Sequence, residues 1–190
     1  IRDANKNLNT KILFHTDACQ AMTHLPIYVE KLGIDLLTLD GNKIYGGRGI
    51  GMLYVKRGSI KINREGTENI PSIMGFAYAM EIIEKNREKE TKRITELRNY
   101  FIKELLKINK NIKINGDINN TSPHILNVSI PNIDNEFFIL RLDANGVETS
   151  SKSACLRDED ESYVLNAIGA NSKNSIRFSF GKYTKKDELR

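Results

Sequence analysis

Apolar and polar positions divide the chain into short strands and longer helices. Three apolar runs have the length and continuity of buried β-strands: residues 11–16, 34–39 and 52–55. Between the first two runs, Leu25, Val29 and Leu32 recur at helical spacing, and Gly33 follows in the position that commonly ends a helix. The order strand, helix, strand predicts an α/β fold whose ligands bind just outside the carboxyl ends of the strands.

A long helical pattern covers residues 71–110. Eight residues form its apolar side: Ile73, Phe76, Met80, Ile83, Ile94, Leu97, Phe101 and Leu105. Charges crowd near Asn86, so we place a boundary there and predict one domain at residues 1–86 and another at 87–190. For the second domain we predict strands at 125–130, 147–150 and 175–180, helices at 134–145 and 163–168, and a last helix starting at Thr184. The strand spacing permits antiparallel pairing.

Composition and charge narrow the class of protein. The 190 residues are 39% hydrophobic, enough for one domain or two small lobes, and no apolar run approaches the ~20 residues of a membrane span. The start of the chain has neither Met nor an apolar leader, and we expect a piece of a longer protein. Positive and negative residues are interleaved and Trp is absent, so the net charge of +5 indicates solvated faces rather than nucleic-acid binding.

Cysteines and histidines indicate a reducing compartment and no metal site. Two cysteines without a secretory leader, Cys19 and Cys155, predict free thiols in the cytoplasm. The three histidines share no ligand-like spacing with each other or with the cysteines.

Asp17 and Lys43 each follow a predicted strand. A lone lysine there is most often a surface or ion-pair residue, but Lys43 lies in a Gly/Asn turn where partial desolvation would favour the neutral, nucleophilic amine. The two side chains are expected to address one ligand from neighbouring strands. A pyridoxal phosphate ring suits them, because a lysine bonds its aldehyde and a carboxylate keeps its pyridine nitrogen protonated.

Five sequence blocks, in order, resemble the C-terminal half of the NifS/IscS-type cysteine desulfurases, which are class V, fold-type I pyridoxal phosphate enzymes. The blocks are His-Thr-Asp-Ala-Cys-Gln at 15–20, Lys-Ile-Tyr-Gly-Gly-Arg-Gly-Ile-Gly at 43–51, Arg-Glu-Gly-Thr-Glu-Asn-Ile-Pro at 64–71, Ser-Ser-Lys-Ser-Ala-Cys at 150–155 and Ser-Ile-Arg-Phe-Ser at 175–179. The resemblance implies an α/β fold: part of an aspartate aminotransferase-like large domain at 1–86, followed by a smaller α+β domain at 87–190.

The resemblance also implies roles for single residues around the cofactor. Lys43 matches the lysine bonded to pyridoxal phosphate, Asp17 the acid on the pyridine nitrogen, and Gln20 the residue bonded to the 3′ oxygen. Thr67 matches a threonine that reaches the cofactor phosphate of the other subunit, which implies a homodimer with shared sites. At the phosphate, Asn42 is a plausible contact.

Further matches concern the substrate, L-cysteine. Arg177 matches the arginine that clamps the substrate carboxylate, and Asn127 an asparagine near the substrate. Cys155 matches the nucleophile that takes the sulfur, leaving a persulfide for a sulfur-acceptor protein in iron–sulfur cluster assembly or tRNA thiolation, and releasing L-alanine. Its polar loop, with Lys152 and Arg157 beside it, suits an activated and mobile thiolate. Cys19, in contrast, is expected at a buried helix start and inert.

Three departures from the family leave other functions open. Asp40 and Asn42 stand where the family has serine and histidine, and an ionised Asp40 would repel a phosphate unless it points away. The first half of such an enzyme is missing, and so is a Gly-rich stretch expected near Ile62 and Asn63. The alternatives are a selenocysteine lyase or aminotransferase of the same class, and an inactive, desulfurase-like dimerisation module.

Overall fold

The structure, a computed structural model, describes residues 1–6, 11–63, 65–152 and 161–189. The chain divides into two compact units, residues 1–89 and 90–190. The division lies close to the boundary expected near Asn86, while the roles of the two segments as large and small domain stay predictions. Within the described ranges, no helix combines the length and the apolarity needed to cross a membrane.

The first unit is built around a three-stranded sheet. Its elements are α1 (Arg2–Asn5), β1 (His15–Asp17), α2 (Val29–Leu32), β2 (Leu36–Asp40), a 3₁₀ helix (Asn42–Ile44), β3 (Gly51–Val55) and the first part of α3 (Ile70–Ile108). The sheet order is β1-β2-β3, with β2 parallel to β1 and antiparallel to β3. Leu37 and Leu39 of the central strand are buried in a core that includes Ile34, Ile44 and Phe76. The α/β class is therefore confirmed.

The first apolar run is a shorter and more exposed strand than expected. Only His15–Asp17 pair with β2, and Phe14 is 38% exposed. The physical reason lies in the partner strand, because Gly33 ends α2 with φ 66°, so no extended chain lies beside residues 11–13. The helix expected over Leu25 to Leu32 is likewise reduced to the four residues of α2.

Helix α3 confirms the long helical pattern. It runs for 39 residues, from Ile70 to Ile108, and Asn69 accepts a hydrogen bond from the Ser72 N–H at its start. Phe76 is buried in the core of the first unit, and Ile94 in that of the second. Ile73, expected on the apolar side, is 38% exposed instead.

The second unit is an antiparallel sheet packed on α3. Its strands β4 (Lys113–Ile114), β5 (Ile125–Ser129) and β6 (Ser175–Ser179) lie in that order, and α4 (Asn135–Asp143) and α5 (Tyr163–Ala167) complete it. Leu126 and Val128 of β5 share a core with Ile94 and Leu97 of α3. The expected antiparallel pairing is thus confirmed.

Two expectations for the second unit are wrong. Residues 147–150 form no strand, since only Ser150 makes a β-bridge, to Arg177. The segment at Thr184 precedes a 3₁₀ helix at Lys186–Leu189 rather than starting an α-helix.

Candidate substrate and cofactor sites

The carboxyl edge of the parallel strands brings Asp17 and Lys43 to the same edge of the sheet. Asp17 is the last residue of β1, and its Cα pairs with that of Thr38 in β2. Lys43 lies in the 3₁₀ helix that directly follows β2. This is the arrangement the strand pattern predicts, because parallel strands end on the same side of a sheet.

Asp17 is kept ionised by Cys19. The Cys19 N–H donates to Asp17 Oδ1 at 3.0 Å, and hydrogen bonds from the thiol and this N–H lower the pKa of Asp17. Conversely, burial and then the Asp17 carboxylate raise the pKa of Cys19 to about 11. Cys19 is half-buried in a turn, not at a helix start, and its protonated thiol agrees with the inert role expected for it.

The loop after β2 is held in one shape by its own residues. Asp40 Oδ1 accepts a hydrogen bond from the Asn42 N–H at 2.9 Å. The Gly41 N–H donates to the Ile50 carbonyl at 2.9 Å, and a Cβ on Gly41 would lie only 2.7 Å from Ile50 Cγ2. One Asp40 oxygen thus accepts a hydrogen bond within its own turn. Ile44, the residue that follows Lys43, is buried and anchors the turn.

Lys43 is exposed and has no partner among the described residues. The partial desolvation expected for its amine is therefore not met in this chain, because neighbouring side chains leave the turn open. Gln20 and Asn42 are also exposed, and Thr67 lies exposed in the segment before α3.

In the second unit, Arg177 and Asn127 lie directly opposite each other. Asn127 of β5 pairs in register with Arg177 of β6, so both side chains occupy the same face of the sheet. The apolar residues that alternate with them, Leu126 and Phe178, pack on the side of α3. The sheet therefore has one apolar and one polar face.

Buried polar atoms on this polar side lack partners among the described residues. Arg177 Nε and Thr149 Oγ1 are both buried, and neither has a hydrogen-bond partner in the part of the chain that the structure describes. Unsatisfied buried groups are unusual, and a guanidinium nitrogen without an acceptor fits a residue that binds an anionic ligand.

A polar network around Asn127 was missed by the sequence analysis. Asn115 Nδ2 donates to Asn127 Oδ1 at 2.6 Å, to Ser129 Oγ at 2.9 Å and to Ser175 Oγ at 3.1 Å. The signal was present, because the alternation in residues 126–129 and 175–178 shows which side chains share the polar face. Asn115, however, is brought to this face by β4, the strand that directly precedes it, and a strand of two residues is too short to be predicted from sequence.

Cys155, the predicted nucleophile, lies outside the described residues, so its role stays a prediction.

The residues at the carboxyl edge fit a pyridoxal phosphate. Lys43 offers an unpartnered amine, and Asp17 an ionised carboxylate on the neighbouring strand. Asp40, the residue whose charge opposes a phosphate, has an oxygen bonded within its own turn, while the side chain of Asn42 is exposed.

Comparison with known proteins identifies the family. The family model described as Aminotransferase class-V matches residues 2–63 and 58–190. The chain belongs to the class-V aminotransferase family, which together with the cysteine desulfurases depends on pyridoxal phosphate. The two matched segments overlap at residues 58–63, next to the place where a Gly-rich stretch of the family is expected to be missing.

Individual relatives are cysteine desulfurases by name. The chain is 40% identical to cysteine desulfurase IscS of Dictyoglomus turgidum, over 94% of this chain and 49% of the relative. It is 34% identical to the human cysteine desulfurase, over 94% of this chain and 42% of the relative. The chain thus spans about half the length of the curated relatives it matches.

Solved structures agree with this assignment. A NifS-like protein superposes with a TM-score of 0.82 at 28% identity, over 99% of this chain and 52% of that protein. The NifS-like protein of Rickettsia africae superposes with a TM-score of 0.75, also at 28% identity, over 93% of this chain and 50% of that protein. The fold therefore matches about half of a NifS-like protein.

Proposed function

We propose that the protein carrying this chain is a pyridoxal phosphate-dependent cysteine desulfurase, which converts L-cysteine to L-alanine and transfers the sulfur to Cys155. The observation that carries the proposal is that Lys43, whose amine has no partner among the described residues, follows β2 at the same sheet edge at which the ionised Asp17 ends β1. The relatives named cysteine desulfurase support the choice of reaction within the family.

The first unit would hold the cofactor. Lys43 would bind the cofactor and move protons at the substrate carbons, Asp17 would accept a hydrogen bond from the pyridine nitrogen, and Gln20 and Asn42 would contact the ring oxygen and the phosphate. When bound, pyridoxal phosphate serves as an electron sink for the substrate. Because Asp17 keeps its charge through the Cys19 hydrogen bonds, its carboxylate would favour the protonated form of the pyridine nitrogen.

The second unit would hold the substrate carboxylate. Arg177 presents a planar fork that suits a carboxylate, and its buried Nε has no described acceptor. Asn127, directly across the strand pair, adds an amide to the same face.

Sulfur would leave through Cys155. Its thiolate attacks the substrate sulfur, the bond between that sulfur and the substrate β-carbon breaks, and the carbon skeleton departs as alanine while Cys155 keeps the persulfide. The sulfur then passes to an acceptor protein for iron–sulfur clusters or tRNA thiolation. We further propose a homodimer in which Thr67 reaches the partner's cofactor, acting in the reducing cytoplasm, where a thiol stays free.

Alanine release tests the proposal. The complete protein, incubated with pyridoxal phosphate and L-cysteine, should release alanine and show the absorbance of lysine-bound cofactor. Lys43→Ala should abolish both, whereas Lys56→Ala, an exposed lysine that follows β3, should change neither. Cys155→Ala should remove the persulfide. If the wild-type protein binds no cofactor, it is instead the inactive module suggested by Asp40 and Asn42.

A further inference from the structure

A chain of hydrogen bonds on the polar face starts at a main-chain carbonyl that fixes its direction. Ser175 Oγ lies 2.6 Å from the Asn171 carbonyl oxygen and donates its only proton there. Ser175 is completely buried, and with its proton committed, its oxygen can only accept from its other neighbours.

Asn115 must therefore turn its amino group toward Ser175. Ser129 Oγ, 2.9 Å from Ser175 Oγ, donates to it and so can only accept from Asn115 at 2.9 Å; the Asn115 atom facing both hydroxyls is therefore Nδ2. The main chain holds this residue in place, since the Asn115 N–H donates to the Asn127 carbonyl at 3.0 Å. The same Nδ2 lies 2.6 Å from the side chain of Asn127.

The amide of Asn127 is oriented in turn. Because it receives a proton from Asn115, the facing atom of Asn127 is its oxygen, and its Nδ2 faces away from the network. That Nδ2 has no partner among the described residues. On the same face, the paired Arg177 carries only donors, so the two residues together present donors and no acceptor.

We propose that Asn115 and Ser175 are positioning residues which, through Asn127, make this face selective for the carboxylate of an amino acid. The inference rests on the proposed function and deepens it. Without them, the Asn127 amide could rotate and present its oxygen, which would repel a carboxylate instead of binding it.

Substitutions of Asn115 should reverse the orientation of the Asn127 side-chain amide or leave it free to rotate. In Asn115→Asp the side chain can only accept, so Asn127 turns its Nδ2 inward and its oxygen outward. The KM for L-cysteine should then rise about tenfold to a hundredfold, the usual range for one lost hydrogen bond to a charged group, with kcat changed less than about threefold. Asn115→Leu, which is neutral and similar in size, frees the amide and should raise KM by a smaller factor, about threefold to tenfold.

Matched controls separate orientation from charge and folding. Asn119→Asp introduces the same charge in the same β4–β5 connection, where Asn119 is exposed, and should leave KM within about twofold of the wild type. If Asn115→Asp does not fold, Ser175→Ala serves instead: it removes one acceptor of Asn115 Nδ2 and frees the proton of Ser129, which can then donate to Asn115 Oδ1, so KM should rise about threefold. Equal KM values for the Asn115→Asp and Asn119→Asp variants would overturn the inference, and so would an unchanged KM in Ser175→Ala.

A binding measurement distinguishes failure of this inference from failure of the proposed function. Calorimetric titration of the complete protein with L-alanine reports carboxylate binding without turnover. If the wild type binds L-alanine but releases none from L-cysteine, the proposed function fails, and the order of Kd values among the variants decides the inference. Absence of L-alanine binding to the wild type would contradict the inference itself.

Discussion

At the residue scale, Asp17 and Cys19 set each other's protonation. The thiol and the backbone N–H of Cys19 stabilise the carboxylate, while burial and that carboxylate stabilise the protonated thiol. Asp17, a proposed cofactor contact, is thereby kept charged, and the Cys19 thiol beside it is kept unreactive.

This coupling predicts a slow and strongly pH-dependent alkylation of Cys19. In a Cys155→Ser protein, the rate with iodoacetamide should follow a thiolate pKa of about 11 instead of 9.0. The rate should therefore still rise, without a plateau, between about pH 8 and 10. Asp17→Asn should lower the apparent pKa of Cys19, because it removes one of the charges that oppose ionisation of the thiol. If the alkylation rate of the Cys155→Ser protein with native Asp17 levels off near pH 9.0, the assignment is contradicted.

The same shift has a consequence for stability. Folding raises the pKa of Cys19, so its protonated thiol contributes to the free energy of unfolding. This contribution is fully present below pH 9.0. It is lost as the pH rises towards about 11, because the thiol ionises at a lower pH in the unfolded chain than in the folded one.

At the element scale, the connection from β2 to β3 determines where Lys43 stands. Gly41 is buried beneath this loop, and the Gly46 N–H closes it by donating to the Gly41 carbonyl at 2.8 Å. Any side chain at position 41 would meet Ile50 and the Gly47 carbonyl, at 2.7 and 2.9 Å.

Alanine substitutions at two glycines of this loop should differ in their effects. Gly41→Ala should reduce the free energy of unfolding by about 1–3 kcal/mol, the cost of overpacking, and weaken cofactor binding by displacing Lys43. Gly47→Ala is the control, since its Cβ would come no closer than 3.9 Å to Ile50, and it should change stability by less than about 0.5 kcal/mol. Urea unfolding of the complete protein measures both, and equal effects would contradict the packing argument.

Local signals predicted the elements that depend on local interactions. The periodicity of α3 and the cap of α4, where Asp134 Oδ1 accepts from the Phe137 N–H at 2.9 Å, can be recognised within a few residues of sequence. The strand expected at residues 11–14 is wrong because a strand also needs an extended partner, and at 147–150 only Ser150 reaches the extended strand β6, at Arg177. In both runs, the number of residues that pair depends on the neighbouring chain and is not encoded in the run itself.

The candidate site, like the fold, could be predicted from the sequence only where local patterns identify its residues. Asp17 ends β1 and Lys43 follows β2, and motifs identify both residues; the alternation along β5 and β6 places Asn127 and Arg177 on one face. Asn115 is 12 positions from Asn127 and 60 from Ser175, so only the folded sheet brings these three together.

At the scale of the whole molecule, the proposed homodimer has sites shared between subunits. Lys43 of one subunit and Thr67 of the other would then serve one cofactor. The chain spans about half of its relatives, so this arrangement has to be tested in the complete protein.

Mixed dimers provide that test. Lys43→Ala should be inactive and Thr67→Val weakened, yet co-expression should restore alanine release, because each mixed dimer contains one site with both native residues. With random pairing, about a quarter of wild-type activity is expected. Activity no higher than the mean of the two separate variants would show that each subunit builds its own site.

The alternation along β5 and β6 also limits where the gene can gain or lose codons. One inserted codon within either strand would rotate every following side chain to the opposite side of the sheet. Arg177 would then point into the apolar core and Ile176 into water, and no single compensating mutation would restore both. Length variation among natural homologues is therefore expected in the connection between β4 and β5, and not inside these strands.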